Sequence, residues 1–455
     1  MKYTKEALLL CVLLALSAPS ASAANNILPE KFSRAITADL QHRPQDIVIR
    51  KIAVPAAPAP TGENSSAQPA DSSAQGTAAT ELKKNISLTG SVFGSYGDDE
   101  NALRITDASV VLDKAEIVKA AGSSSSLEIG DSRGVNAALL AADGAKVTLS
   151  DSSAESSAPS GNALFSWGEG SVITASRTEI RTSGPHSAGL MTSDGGIIRA
   201  EEMNVITQGD FSSPIRAGQG GGVITVRNGT FVSGGLHAPA IHSAGDIAVY
   251  GASLAAARSA GILLAENGKI ALENCTLEGN MAAEQKDGDT AAREDPAASV
   301  LFLPSGDGRT PAGPAEFSAK NGSVISHRGA VFAVNRTEGL LTLDNVKLRN
   351  EDPEAVLLRI AGTSDKPGKA KAVLLRQKAE GKILTDSVSS LDLTLDSGTV
   401  LKGSISDEDS PLSGSGTVLH IGKGARWELT GDSVIRRLDN QGKIETNGFK
   451  LTVRE

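Results

Sequence analysis

The sequence predicts an all-β chain, a right-handed parallel β-helix solenoid with about 23–26 residues per coil. Three observations predict it. Between Asn136 and Gly279 a motif recurs, and the glycines opening its second segment (Gly144, Gly170, Gly195, Gly221, Gly245 and Gly268) follow at intervals of 26, 25, 26, 24 and 23 residues. Each repeat carries three short runs of alternating apolar and polar residues, such as Ser187-Ala-Gly-Leu190, Gly195-Gly-Ile-Ile-Arg199 and Met203-Asn-Val-Ile-Thr207. Finally, 48 glycines and an aromatic content of 3% suit tight small-residue coils better than a globular enzyme core. A single coil cannot enclose a core, but stacking places like residues over like and buries a continuous column. The hand follows from the preference of parallel crossovers.

Met1 to Ala23 reads as a secretory signal peptide. Lys2 and Lys5 precede an apolar run from Ala7 to Ala18, and Ala21-Ser-Ala23 supplies a small-residue cleavage site. Cys11 lies within that run and follows Leu10, where a lipoprotein site wants a small residue. Removal of the leader leaves Cys275 as the sole cysteine, so no intramolecular disulfide can form, and a small buried hydrophobe is the expectation there. Residues 24–84 form a Pro/Ala/Ser-rich linker without apolar periodicity, expected to be largely disordered.

The solenoid is expected over residues 85–398. Its first, irregular coils contain Ile86-Ser-Leu-Thr-Gly90, Ala102-Leu-Arg-Ile105, Ser109-Val-Val-Leu112 and Ser126-Leu-Glu-Ile129, all expected as strands. The regular coils run to Gly279. A charged, proline- and glycine-containing insertion at 281–315 then breaks the period, with Ser299-Val-Leu-Phe-Leu303 inside it as the next strand. Insertions on solenoids often protrude from one face and bind, although a tolerated surface loop is the commoner explanation of such a composition. Strands resume from Gly322-Ser-Val-Ile-Ser326, and residues 399–455 form the final coils and cap.

Those final coils carry a resemblance. Gly424-Ala-Arg-Trp-Glu-Leu-Thr-Gly-Asp-Ser433, Leu438-Asp-Asn-Gln-Gly442 and Phe449-Lys-Leu-Thr-Val453 resemble the closing coils of pertactin-like autotransporter passengers, with Trp427, Asp432, Ser433 and Asn440 in matching places. The resemblance implies a right-handed β-helix, export, and adhesion to a host-surface protein or glycan through loops. It also exposes a departure. Members of that family end in a membrane β-barrel, for which eight strands need roughly 80 residues, and none follow Glu455. A separate outer-membrane export partner is one expectation, and a truncated autotransporter another. The expected location is the periplasm, the outer surface or the extracellular space.

Net charge is −9, which disfavours nucleic acid, since phosphate binding wants a basic face. β-Helices also host polysaccharide lyases and hydrolases, which cluster carboxylates, often with Ca²⁺, beside an Arg or Lys base. The best candidate for such chemistry is the turn column Asp143, Glu169 and Asp194, which one-coil spacing would stack about 5 Å apart. Turn formers facing water are the commoner occupants of such positions. His186 and His237 recur two coils apart, roughly 10 Å by the same rise, too far to share a zinc ion. His242 falls elsewhere in its coil. Gly218-Gln-Gly-Gly-Gly222 precedes a strand rather than a helix and is a turn, not a phosphate cradle. Trp167 suits either a sugar platform or the edge of a core. The expectation is therefore a non-catalytic, exported interaction protein without cofactor or metal. The alternatives are a polysaccharide lyase or hydrolase on the same scaffold, or a structural stalk or spacer.

Overall fold

A computed structural model describes residues 76–281, 295–305, 313–409 and 414–455. Over these residues the chain is a parallel β-solenoid with almost no helix. The expected signal peptide, most of the linker and most of the 281–315 insertion lie outside the described residues.

Each coil contributes up to three strands, and like strands stack into three faces. Face A is a 15-stranded parallel sheet among the described residues, running from Thr77–Leu82 to Leu451–Val453. Face B follows it in each coil, with Lys146–Ser150, Val172–Ser176 and Lys269–Glu273 among its strands. Face C closes the coil, with Ser153–Ser156, Glu179–Thr182 and Thr276–Gly279. In three successive coils faces B and C fuse, because single 11-residue strands (Ile197–Thr207, Val223–Ser233 and Asp246–Ala256) run through the corner. Asn228 and Glu202 bend two of those corners with left-handed backbones of φ 60° and 53°.

The pairing register is continuous. Ile173 lies between Val147 and Ile198, and Ile180 between Ala154 and Val205. Each inward row is thus a ladder of aliphatic side chains in one core that extends from Phe93 to Ile435. Full burial of each Leu, Ile or Val stabilises by roughly 1.5–3 kcal/mol relative to exposure.

Serine and threonine close the corners. The last residue of a face C strand bonds a carbonyl at the start of its next turn. Thr182 Oγ1 donates to Ser187 O at 2.6 Å, Thr207 Oγ1 to Ser212 O at 2.5 Å, and Ser326 Oγ to Ala330 O at 3.0 Å. Ser233 makes the same bond to Ala238. A buried carbonyl that a short turn would orphan is satisfied without a bulky side chain.

Two expectations change. The first strand, Thr77–Leu82, falls inside the stretch assigned to the linker and pairs with Glu100–Ile105. Its alternation of Thr, Ala and Glu carries little hydrophobic signal, and pairing with a buried neighbour supplies what composition does not. Ser126-Leu-Glu-Ile129 is no strand but the start of a helix, α1 (Leu127–Arg133). Ser126 Oγ caps it by accepting from Ile129 N at 3.3 Å, Glu128 occupies the first turn, and Gly134 ends it at φ 68°. These are helix start and stop signals that the apolar alternation hid.

Candidate functional site

Several strands of face A (Leu139–Ala142, Leu190–Ser193, Ala298–Phe302 and Ala330–Asn335) are buried on both sides, which is why they read as largely apolar runs. Leu139 and Ala141 point into the solenoid, whereas Leu140 and Ala142 point outward and are still buried. The outward row can be followed by register: Leu140, Phe165, Met191, Arg216, His242, Leu263, Leu301 and Ala333.

At the start of this row, α1 lies across the sheet. Leu140, Phe165 and Met191 form a sealed cluster with Ala137, Ala142 and Ala188. A Cβ on Gly134 would stand 2.8 Å from the Phe165 ring, so the helix end must be glycine to approach this closely. Asp131 of α1 accepts from Arg216 Nη2 at 3.0 Å, and Ser193 Oγ donates to Ser132 O. Trp167 packs on the rim of this cluster, and its Nε1 donates to Asp194 at 2.9 Å. It covers a core edge.

Beyond Arg216 the row is less covered. His242, the register neighbour of Arg216, is half-buried; loss of solvent, with added repulsion from the guanidinium, drives its pKa down to about 3, so the ring is neutral. Further along, a second outer cluster forms around Ala260, Ala298, Leu301, Ala330 and Ala333, with Met281 and Leu303 packed on it. At the edge of this cluster, beside Leu263, opens a cleft of about 80 Å³. His237, Ser259, Leu263, Met281, Asp295 and Leu303 line it, so both described ends of the insertion reach it. Asp295 is fixed there by Asn335 Nδ2 at 3.0 Å and Arg336 Nη2 at 2.5 Å.

His237 also belongs to a ladder of rings. His186 stacks on Phe211 with centroids 4.8 Å apart and planes 4° from parallel, and Phe211 stacks on His237 at 5.1 Å and 17°. All three have left-handed backbones, φ 55°, 59° and 52°, unusual for such side chains. The two-coil separation of the histidines holds, and no metal geometry results, since a phenyl ring fills the gap. Sequence reasoning missed Phe211 because Phe211-Ser-Ser213 carries no strand signal. Its place one coil from each histidine was the available clue.

The carboxylate column does not assemble as expected. Face A pairs Leu139, Leu164 and Leu190, whereas face B pairs Lys146, Val172 and Ile197. The middle coil therefore has one extra residue in its turn. Gly168, at φ 81°, takes the left-handed position that Asp143 and Asp194 take at φ 52° and 49°, and Glu169 is the extra residue. All three acids are exposed, and Asp194 is held by Trp167. Whole-coil spacing hides such local differences in turn length. Among the described residues no group of three His, Cys, Asp or Glu is placed to hold a metal ion.

The residues of the C-terminal resemblance have structural roles. Trp427 is fully buried and donates from Nε1 to Gly403 O at 3.0 Å. Asp432 Oδ1 accepts from Lys450 N at 2.9 Å, Ser433 Oγ accepts from Ile405 N at 3.2 Å, and Asn440 Oδ1 accepts from Gly442 N at 2.9 Å. Each ties one terminal coil to the next or shapes its turn.

Other titratable groups are spent on the scaffold. Lys119 is buried among its own partners, donating to Gly97 O at 2.5 Å and Ser95 Oγ at 3.1 Å. Burial lowers its pKa to about 8 against the upward pull of Glu100, Asp98 and Asp99. His327 bridges two coils: Nδ1 lies 2.7 Å from Glu351 and Nε2 3.1 Å from Glu278. Both carboxylates only accept, so the ring satisfies both as the imidazolium. Burial lowers its pKa, but the two hydrogen bonds outweigh it and hold it above the usual value. Cys275 is buried, with burial pushing its thiol up. No helix of the described residues is long and apolar enough to cross a membrane.

Comparison with protein-family models and with curated proteins returns no match. Among solved structures the chain is similar to the TibC-catalysed hyper-glycosylated TibA55-350 fragment, covering 83% of this chain and 99% of that one. Identity is 11% and the TM-score 0.27, a likeness that identifies neither family nor function.

Proposed function

We propose that this is an exported, non-catalytic interaction protein, adhesin-like in use, that holds a partner surface, protein or glycan, against the outer side of face A. One observation carries the reading. The outward row of face A, covered at both ends by the chain itself, leaves Leu263 half-buried at the mouth of a cleft beside the insertion. A concave, largely apolar surface with a few polar groups is the usual form of a binding site. Two of the groups with displaced pKa values are engaged within the scaffold: Lys119 by Ser95 and Gly97, His327 by its two glutamates. The resemblance of the last coils to pertactin-like passengers and the leader-like first 23 residues support export.

The test uses the chain from Asn25 onward, presented to host-cell membranes and to a glycan array, with a parallel assay for new reducing ends and unsaturated products from polysaccharides, with and without Ca²⁺. Saturable binding without turnover is expected. Turnover would make the protein an enzyme, with Asp143, Glu169 and Asp194 the first residues to replace. Absence of binding to any surface would leave the stalk or spacer.

A further inference from the structure

We propose that α1 is an acid-released cover: it lies closed over Leu140, Phe165 and Met191 at neutral pH and lifts from face A as pH falls below the ordinary histidine range. This goes beyond the binding role proposed above and does not depend on it.

The segment is rooted on both sides. Before the helix, Ser123 N and Ser125 N donate to Asp98 and Asp99 at 2.6 and 2.8 Å; after it, Asn101 Nδ2 donates to Gly134 O at 2.7 Å. Between these roots α1 is seven residues long, too short to be stable by itself. It brings little apolar surface of its own to the sheet. Leu127 is exposed, Ile129 is half-buried, and the buried position is Gly130. Polar ties hold it instead: Arg216 Nη2 to Asp131 Oδ2 at 3.0 Å, Ser193 Oγ to Ser132 O, and Asn162 Nδ2 to Gly130 O at 3.4 Å.

The central tie is incomplete. Asp131 Oδ1 and Arg216 Nε are both sealed from solvent without a hydrogen-bond partner, a standing cost of the closed state that water would relieve. Two histidines stand beside the pair. His242 follows Arg216 in the outward row, and His186 at the corner feels both Asp131 and Arg216. The charges facing these rings are Asp131 from α1, Arg216 from face A and Asp210 from the corner, the last shared with Arg258 at 3.6 Å. Glu128 and Arg133 are the remaining charges of α1. Loss of solvent, with repulsion from Arg216, holds both histidines below their ordinary value of 6.5. Lifting α1 frees the guanidinium to swing into water, away from the rings. Protons therefore favour the open state, and closure is complete above 6.5 and weakens as pH falls beneath it. His327 titrates with the opposite sign, so its coils tighten where α1 loosens.

The test is hydrogen exchange read by mass spectrometry on the chain from Asn25 onward, at about pH 7.5 and about pH 5, with rates corrected for intrinsic chemistry. It compares wild type, the double variant His186→Asn with His242→Gln, and Asp131→Ala. Asparagine tolerates the left-handed backbone of position 186. In wild type, exchange across Leu127–Arg133 should rise roughly tenfold in acid while Val172–Ser176 stays protected. The double variant should lose that rise, and Asp131→Ala should exchange fast at both pH values. A dye that binds apolar surface should brighten in step with α1 exchange. A flat wild-type response, a rise that survives in the double variant, or acid exchange shared with Val172–Ser176 would each overturn the proposal. So would exchange without brightening, because Leu140, Phe165 and Met191 would then still be covered.

Discussion

The outer side of face A exists in two states within one molecule. Under α1, Leu140, Phe165 and Met191 are dry, sealed by a helix whose terminal glycine touches the phenyl ring. Three coils beyond Met191, Leu263 occupies the same row, half-buried at the mouth of a cleft. The backbone, the register and the apolar character are shared, and only the cover differs. The lesson is that an apolar outward row is not itself a site, because the chain can spend it internally. It becomes one where the cover stops.

The comparison can be broken most forcefully at its closed end. Phe165→Ala empties a fully buried position and should destabilise by about 3–5 kcal/mol, read from urea denaturation, with early loss of protection in α1. A much smaller loss would mean that α1 is a loose flap and that the two ends of the row are alike. Trp427→Phe, at the last coils, keeps the ring but strands the Gly403 carbonyl. It should cost about 1–3 kcal/mol and fray the C-terminal strands first in hydrogen exchange.

The third prediction concerns the coils flanking the insertion. The folded-state pKa of His327 is raised above 6.5, so its clamp stabilises fully below that ordinary value and the contribution is lost as pH rises through the folded value. Arg349, which pairs with Glu351 at 2.8 Å, keeps its charge throughout. His327→Gln should therefore melt well below wild type under mildly acidic conditions and converge on it under alkaline ones. A gap independent of pH would show that the ring is held neutral. The smallest effect belongs to the open end: Leu263→Ala should change stability by under about 1 kcal/mol, because the side chain is only half-buried. Its consequence should be seen in binding alone. A large stability loss there would mean that the cleft is structural.

How much of this was legible in the sequence follows a physical divide. The coil period, the three faces and the aliphatic ladders were readable because stacking repeats the same demand at every coil. Ile173, Ile198 and Ile224 announce one another. Features that occur once were not. α1 lies in a stretch whose cap signals compete with an alternating pattern. Thr77–Leu82 becomes a strand only because Glu100–Ile105 offers it an edge. The Asp143, Glu169 and Asp194 column failed because the period averages over turn length. The His186 and His237 separation was right, yet Phe211 between them needed the turn conformations to be known. The cleft was illegible altogether, since residues as distant as His237 and Leu303 meet there only through the winding of the solenoid.

The hydroxyl clasps at the corners have a consequence for how such a chain changes over generations. Thr182, Thr207, Ser233 and Ser326 each bond a carbonyl only four or five residues ahead, where the chain leaves face C for the next face A strand. A coil thus brings its own fastening. Duplication or loss of one whole repeat would leave every remaining clasp made, and the ladders would rejoin Ile to Ile across the junction. Lengthening by one residue, as in the turn that holds Glu169, is absorbed at the surface. The fold can therefore alter its reach in steps of one coil while the ring ladder and its cleft stay in register.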